Sequence, residues 1–257
     1  MNYNLEFLPE RTKKPRQCGL NMIMDKGLSL KDAESLIQSS GDFVDFVKLG
    51  FGTSIITNNL EEKIKLYKEA GIKPYFGGTL FEAFYIRKQL SGFKKYIEHF
   101  NIEVVEISDG EVNMNHNEKC ELINEFSKTY TVLSEVGSKE EDKVYPVEQW
   151  VEMMQKELIA GSWKVITEAR ESGNLGIYNK DGSANTELIN AISNNIDIDN
   201  IIWEAPIKKQ QVWFIRHMGA NVNLGNIPYN EVIALESLRL GLRGDTFFQF
   251  LPDSLKS

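Results

Sequence analysis

Residues 102–107 read IEVVEI, residues 118–128 read EKCELINEFSK, and residues 131–136 read TVLSEV. The first and third stretches are short, β-branched and almost continuously apolar, which is typical of strands in a parallel sheet covered on both faces. The middle stretch places its apolar side chains at helical spacing. Together the three predict a strand, a helix and a second strand parallel to the first.

The same alternation extends along the chain in both directions. We predict six further strands, at residues 19–24, 43–49, 72–76, 163–169, 201–205 and 220–224. A helical segment follows each strand, and the first begins at Ser29-Leu30-Lys31-Asp32, a capping box with Asp in place of Glu.

Eight strand–helix units in 257 residues favour an α/β fold, a single-domain (β/α)8 TIM barrel with a parallel β-barrel core. A doubly wound open sheet is the main alternative. We expect one domain over residues 1–257, with an N-terminal extension at 1–15 and a C-terminal tail at 241–257.

The composition, with 42% apolar and 26% charged residues, is that of a globular protein. A formal net charge of −8 repels polyanions, so we expect no nucleic-acid partner. No apolar stretch approaches the ~20 residues of a membrane span, and the N-terminus lacks the pattern of a signal peptide. The 2 cysteines form no CxxC pair, which fits a reducing compartment. We therefore expect a cytoplasmic protein with no membrane partner.

Ionisable side chains interrupt the apolar runs mainly at the carboxyl ends of the predicted strands, where TIM barrels carry their active sites. These side chains are Lys48, Glu106, Glu135, Lys139, Glu168, Arg170 and Glu204. Converging carboxylates suit Mg²⁺ better than a transition metal, and neighbouring Lys and Arg suit a substrate with phosphate and carboxylate groups. For any single residue a strand-end ion pair or a helix cap is an equal alternative. For the whole set that alternative is weaker, because burying so many unpaired carboxylates is costly.

Two glycine-containing stretches are candidates for anion binding. Residues 223–227 (NLGNI) follow the eighth predicted strand, where barrels often bind phosphate through backbone N–H groups, and residues 243–246 (RGDT) are either a further anion contact or a turn. Two long polar loops, residues 137–145 and 171–182, are each either a lid or a solvated loop. The candidate substrate-binding residues are Arg170, Asn223, Gly225, Asn226 and Arg243.

Taken in order, the strand-end motifs resemble the phosphosulfolactate synthase family. The motifs are KLGFGTS at 48–54, GGTLFE at 77–82, EISDG at 106–110, SEVGSK at 134–139, EARESG at 168–173, WEAP at 203–206, GANVNLGNI at 219–227 and LGLRGDT at 240–246. The resemblance covers nearly the whole chain and implies a Mg²⁺-dependent TIM-barrel enzyme, a lyase that forms homo-oligomers. Such enzymes add sulfite to phosphoenolpyruvate to give (2R)-phospho-3-sulfolactate, a step towards coenzyme M in methanogens and towards sulfolactate in some bacteria.

The resemblance also implies a catalytic role for Lys139, which matches the family's proposed catalytic lysine. In this chemistry sulfite attacks C3, negative charge builds at C2 and in the carboxylate, and a protonated lysine delivers a proton to C2. We name Lys139 as the candidate acid and Lys48 as the second catalytic candidate. The pool of metal ligands is Glu106, Glu135, Glu168 and Glu204.

Two other functions are compatible with the same barrel. A desolvated Lys48 or Lys139 could form a Schiff base with a phosphorylated carbonyl compound, as in an aldolase-type lyase. Plant heat-stress proteins resemble this family, so a non-catalytic, stress-related member is the other alternative. A degenerate member should have lost its ionisable strand-end residues, and this sequence retains them, which favours the enzyme.

Overall fold

The computed structural model describes residues 2–137, 145–169 and 172–256. Its strands are β1 (Asn21–Asp25), β2 (Phe46–Leu49), β3 (Lys73–Phe76), β4 (Val104–Ile107), β5 (Thr131–Val136), β6 (Lys164–Thr167), β7 (Ile201–Glu204) and β8 (Leu224–Pro228). All of the ladders are parallel, and the order of strands is β3-β2-β1-β8-β7-β6-β5-β4. Because β1 pairs with β8, the sheet curls into a nearly closed barrel, which confirms the predicted TIM-barrel fold.

Helices follow the strands and cover the outside of the barrel. They are α1 (Leu30–Ser40), α2 (Leu60–Glu69), α3 (Gly78–Ile86), α4 (Leu90–His99), α5 (His116–Ser127), α6 (Val147–Ala160), α7 (Thr186–Asn195), α8 (Lys208–Met218) and α9 (Val232–Arg239). The α4 helix is an addition between β3 and β4 that the sequence pattern did not predict. Among the described residues, none of the helices has the length and apolar character of a membrane span.

The strands are buried on both faces, as their apolar sequences predict. Every residue of β2, β4 and β7 is buried, because one face of each strand meets the barrel interior and the other meets the helices. The few polar side chains in these strands are therefore buried as well. Lys48, Glu106 and Glu204 lie at or next to the last position of their strands.

A buried arginine holds together the amino-terminal ends of β1 and β8, the first and last strands in the chain. Arg239, the last residue of α9, donates hydrogen bonds to the carbonyl oxygens of Leu20, Ala220 and Val222 and to Oδ1 of Asn21. These acceptors lie at or just before the starts of β1 and β8. The guanidinium has enough N–H groups to satisfy all of them, so β1 and β8 are held together below their ladder.

The eighth strand lies later in the chain than the sequence predicted. It spans Leu224–Pro228 rather than 220–224, and it contains a β-bulge where the register with β1 shifts. Asn226 has a φ of 54° at this bulge, a left-handed conformation that Asn tolerates better than most residues. The Gly225-Asn226 pair, which resembles a loop signal, is therefore an irregularity within the strand.

The capping box predicted at the start of α1 is present. Ser29 Oγ accepts a hydrogen bond from the backbone N–H of Asp32, and the Asp32 carboxylate accepts one from the backbone N–H of Ser29, each at 3.2 Å. The two bonds satisfy backbone donors that the first turn of a helix leaves free.

Replacing the cap should weaken the fold measurably. We expect Ser29→Ala to lower the free energy of unfolding by about 1 kcal/mol, because a backbone N–H of α1 loses its acceptor. Ser193→Ala is the matched control, since Ser193 lies within α7 and its hydroxyl bonds only the carbonyl of Asn190. Urea denaturation checks both variants, and equal stabilities would contradict the role of Ser29.

Candidate active site

A cavity of about 480 Å³ opens at the carboxyl ends of the barrel strands. It lies at the end of the barrel opposite to Arg239, where the sequence predicted the site. Side chains of both charges line it, together with small polar groups. The charged lining residues are Lys26, Lys48, Glu111, Glu135, Glu168 and Glu204, and the polar ones include Thr79, Ser172 and Asn226.

Lys48 lies at the centre of this charged group. Its Nζ is 3.0 Å from Glu106 Oε1, 3.3 Å from Glu135 Oε2 and 3.4 Å from Glu204 Oε1. The four residues come from β2, β4, β5 and β7, and their side chains meet because inward-pointing residues of all strands converge at the same end of a barrel. One buried ammonium thus faces three buried carboxylates.

The surroundings of Lys48 keep its amine protonated. Burial by itself lowers the pKa of Lys48, but the three carboxylates outweigh burial and raise that pKa well above its usual value. A lysine that forms a Schiff base must first lose its proton. The geometry therefore gives Lys48 the character of a fixed cation and argues against it as an aldolase-type nucleophile.

Glu135, Glu168 and Glu204 form a second grouping, which we call the carboxylate triad. One oxygen of each lies within 4.8 Å of the others, and all three side chains are buried. Burial raises the pKa of Glu204 to about 8, with the neighbouring carboxylates adding to this effect and Lys48 opposing it. Crowded carboxylate oxygens are the donor set that hard divalent cations prefer, so these residues fit a metal ion.

Glu106 is held apart from the triad, although the sequence placed it in the same pool. Its Oε1 accepts a hydrogen bond from the backbone N–H of Gly78 at 2.6 Å and contacts Lys48, and its Oε2 accepts one from the hydroxyl of Tyr75 at 3.0 Å. Within the described residues β3 and β4 share no ladder, and these hydrogen bonds bridge the seam between them. Both oxygens of Glu106 are therefore engaged in holding Lys48 and the seam.

The bulge in β8 turns Asn226 towards the cavity. Asn226 lines the cavity, and its Oδ1 is buried without a hydrogen-bond partner among the described residues. A buried polar atom without a partner is costly unless a ligand or water satisfies it. Gly225 serves packing instead, since a Cβ there would lie 2.7 Å from Met22 Cε and 3.0 Å from Ile202 Cγ2.

Asn223, an expected substrate-binding residue, lies at the amino-terminal ends of the strands, away from the cavity. Asn223 precedes β8, and its amide bonds the backbone N–H of Leu20 and the carbonyls of Asp199 and Ile201. The displaced start of β8 explains this correction.

Arg243 follows α9, whose carboxyl end lies beside the amino-terminal ends of the strands, and its Nη1 donates to the carbonyl of Ala234. The structure therefore does not bring Arg243 to the cavity. Lys139 and Arg170 lie outside the described residues, as does the greater part of the predicted loop at 137–145.

Lys119 is a site-supporting residue that the sequence analysis missed. It is fully buried on α5, and its ammonium donates to the carbonyl oxygen of Glu135 at 2.6 Å and to Asp109 Oδ1 at 2.8 Å. It also lies 2.8 Å from Glu157 Oε1 of α6. The sequence does contain a signal for Lys119. This lysine lies on the same face of α5 as the buried Leu122, at the helical spacing of a core position.

Comparisons with known sequences find similar proteins over nearly the whole chain. The sequence model described as (2R)-phospho-3-sulfolactate synthase (ComA) matches residues 9–245. A phosphosulfolactate synthase of Bacillus subtilis (strain 168) is 46% identical over 250 residues, which cover 96% of this chain and 99% of the relative. A phosphosulfolactate synthase of Methanothermobacter thermautotrophicus is 42% identical over 248 residues, which cover 94% of this chain and 96% of the relative.

Solved structures with much lower identity share the barrel. The 3-keto-L-gulonate-6-phosphate decarboxylase of Vibrio cholerae superposes with a TM-score of 0.54 at 10% identity, over 91% of this chain and 99% of that chain. The YdjI aldolase of Escherichia coli K12 gives a TM-score of 0.55 at 10% identity, over 91% of this chain and 94% of that chain. Similarity at this level shows the fold alone.

The seam between β3 and β4 should not tolerate a side chain at Gly78. A Cβ there would lie 2.1 Å from Ser108 Oγ and 2.8 Å from Glu106 Oε1, so Gly78→Ala must displace Ser108 and Glu106. We expect a loss of about 1–3 kcal/mol in the free energy of unfolding from overpacking.

The matched control is Gly244→Ala, because a Cβ at Gly244 meets no described atom within 4 Å. Denaturant unfolding of both variants checks the prediction. A Gly78→Ala protein as stable as Gly244→Ala would show that the seam is not tightly packed.

Proposed function

Because the chain belongs to the (2R)-phospho-3-sulfolactate synthase family, we propose that its strand-end cavity adds sulfite to phosphoenolpyruvate and gives (2R)-phospho-3-sulfolactate. The near-complete match to this family carries the proposal. It also confirms the resemblance drawn from the strand-end motifs and the expectation of an enzyme of the lyase type. The cavity at the carboxyl ends of the strands, lined by a fixed lysine and buried carboxylates, supports the same activity.

The carboxylate triad supports a bound divalent cation, and we propose Mg²⁺. The ligands would be Glu135, Glu168 and Glu204, whose oxygens are the hard donors that this ion prefers. When bound there, the ion would supply positive charge to the carboxylate of the substrate. Glu106 drops out of the ligand pool in this proposal, because it is not among the three glutamates whose oxygens lie within 4.8 Å of one another.

The reaction forms a C–S bond at C3 and a C–H bond at C2 of the same substrate. Sulfite donates the electron pair of its sulfur to C3, the π electrons of the double bond move to C2 and its carboxylate, and C2 then takes up a proton. Lys48 would stabilise the negative charge of this step as a fixed cation, since its raised pKa makes it a poor proton donor. Lys139 is the proposed donor of the proton, on the strength of the family resemblance.

The anionic groups of the substrates need polar partners at the rim of the cavity. We propose the side-chain amide of Asn226 for this role, because the side chain lines the cavity and its Nδ2 can donate hydrogen bonds to an anion. Arg170 is the second proposed contact, from its place in the EARESG motif. On the sequence and the family resemblance we also propose that the protein acts in the cytoplasm as a homo-oligomer.

The first test is a phosphorus NMR assay of the purified protein with phosphoenolpyruvate, sulfite and Mg²⁺. We expect a new phosphate-ester signal that requires both sulfite and Mg²⁺ and disappears with EDTA. No new signal from well-folded protein would contradict the proposed function.

The role of Lys139 is tested in the same assay. Lys139→Ala should abolish turnover and leave the fold intact, because C2 loses its proton donor. Lys128→Ala is the matched control at an exposed lysine and should keep full activity. Undiminished turnover by Lys139→Ala would remove Lys139 from the mechanism.

The triad is tested by metal binding alone. Glu168→Gln replaces one charged ligand by a neutral one, so the dissociation constant for Mn²⁺, measured by electron paramagnetic resonance, should rise about 10-fold or more. Glu111→Gln is the control, since Glu111 lines the cavity outside the triad. Equal Mn²⁺ affinities of the two variants would contradict the assignment of Glu168.

A further inference from the structure

A short segment beyond β6 holds the backbones of two members of the carboxylate triad. The segment is Gly176-Ile177-Tyr178, which we call the brace. The backbone N–H of Ile177 donates to the carbonyl oxygen of Glu168 at 3.3 Å. The hydroxyl of the next residue, Tyr178, donates to the carbonyl oxygen of Glu204 at 2.5 Å. Two consecutive residues therefore connect the ends of β6 and β7.

These strand ends need such a connection, because the ladder between β6 and β7 stops just short of the carboxylates. Its last pair is Thr167 with Trp203, so Glu168 and Glu204 are the next residues in register. The backbone N–H of Ala169 donates to Glu204 Oε2 at 2.8 Å and fixes one oxygen of that side chain. The separation of the two main chains at this level depends on contacts outside the ladder.

The brace is packed tightly enough to set that separation. Gly176 has a φ of 71°, and a Cβ there would lie 1.8 Å from the carbonyl oxygen of Glu168, so the position requires glycine. Ile177 and Tyr178 are both buried.

The chain is also hydrogen-bonded to α8 at two points, one on each side of the brace. Gln210 of α8 donates from Nε2 to the carbonyl oxygens of Gly173 at 2.7 Å and Gly182 at 3.4 Å. Tyr178 also forms an antiparallel bridge with Ala184, two residues beyond Gly182. These hydrogen bonds hold the described part of the loop predicted at 171–182 against the ends of the strands.

We propose that Tyr178 is a positioning residue that, through the brace, sets the spacing of the Glu168 and Glu204 carboxylates for a divalent cation. Residues that hydrogen-bond to metal ligands and hold them in place commonly govern the affinity for the metal. A ligand that must first be ordered binds the metal less tightly. The inference rests on the proposed metal-dependent function. It assigns to a residue outside the cavity lining a role in that site.

The experiment removes one oxygen atom. Tyr178→Phe deletes the hydroxyl that holds Glu204 and leaves the ring in place. The matched control is Tyr67→Phe, because Tyr67 is also buried and its hydroxyl donates to Asp25 Oδ2 at 3.0 Å, outside the triad. Each variant loses one buried hydrogen bond, so both should lose stability to a similar extent in urea denaturation.

Mn²⁺ binding, followed by electron paramagnetic resonance, separates positioning from stability. We expect the Mn²⁺ dissociation constant of Tyr178→Phe to rise about 10-fold, and that of Tyr67→Phe to equal the parental value. Tyr178→Phe should also require more Mg²⁺ for half-maximal turnover, with the KM for sulfite unchanged.

Unchanged Mn²⁺ affinity in Tyr178→Phe would overturn the inference, and so would an equal loss of affinity in Tyr67→Phe. Absence of Mn²⁺ binding by the parental protein would overturn it as well. Because the Mn²⁺ measurement needs no turnover, its outcome is independent of the phosphoenolpyruvate and sulfite assay. If the parental protein binds Mn²⁺ but shows no turnover, the proposed reaction is rejected. The role of the brace is then decided by the Mn²⁺ affinity of Tyr178→Phe.

Discussion

The ion pairs between Lys48 and three buried glutamates are the interaction on which the rest of the structure depends. Lys48 Nζ lies within 3.4 Å of carboxylate oxygens from β4, β5 and β7, so one side chain of β2 contacts groups from three other strands. Removing either charge from such a buried group leaves the other uncompensated, which is strongly destabilising. The barrel is therefore held together around the buried charges of its strand-end cavity.

Glu106 links the closure of the barrel to the position of Lys48. The barrel lacks a β3–β4 ladder in the described residues, and Glu106 accepts hydrogen bonds from Tyr75 of β3 and Gly78 of α3 across this gap. The same carboxylate contacts Lys48 at 3.0 Å. A side chain thus replaces a backbone ladder at the seam, and the lysine is oriented by the residue that closes it.

The triad is supported from outside the cavity as well as from within. Lys119 of α5 holds the carbonyl of Glu135, and Tyr178 of the brace holds that of Glu204. Both supports reach a carbonyl one residue past the last register pair with one neighbouring strand, Ile107 with Ser134 in one case and Thr167 with Trp203 in the other. Carboxylates repel one another, so they stay close only when their main chains are held in place. The buried donors of Lys119 and Tyr178 therefore add to the hydrogen bonds of the sheet in holding the triad together.

The sequence by itself determined the alternation of strands and helices, the parallel sheet and the glutamates at the strand ends, because those features follow from local hydrophobic period. It also carried the family motifs. Only the tertiary structure decided that β8 begins at Leu224, that Asn223 and Arg243 lie away from the cavity, and that Glu106 serves the seam. Register and side-chain partners depend on contacts between residues far apart in the chain, such as Asn21 with Leu224, and no local pattern encodes them.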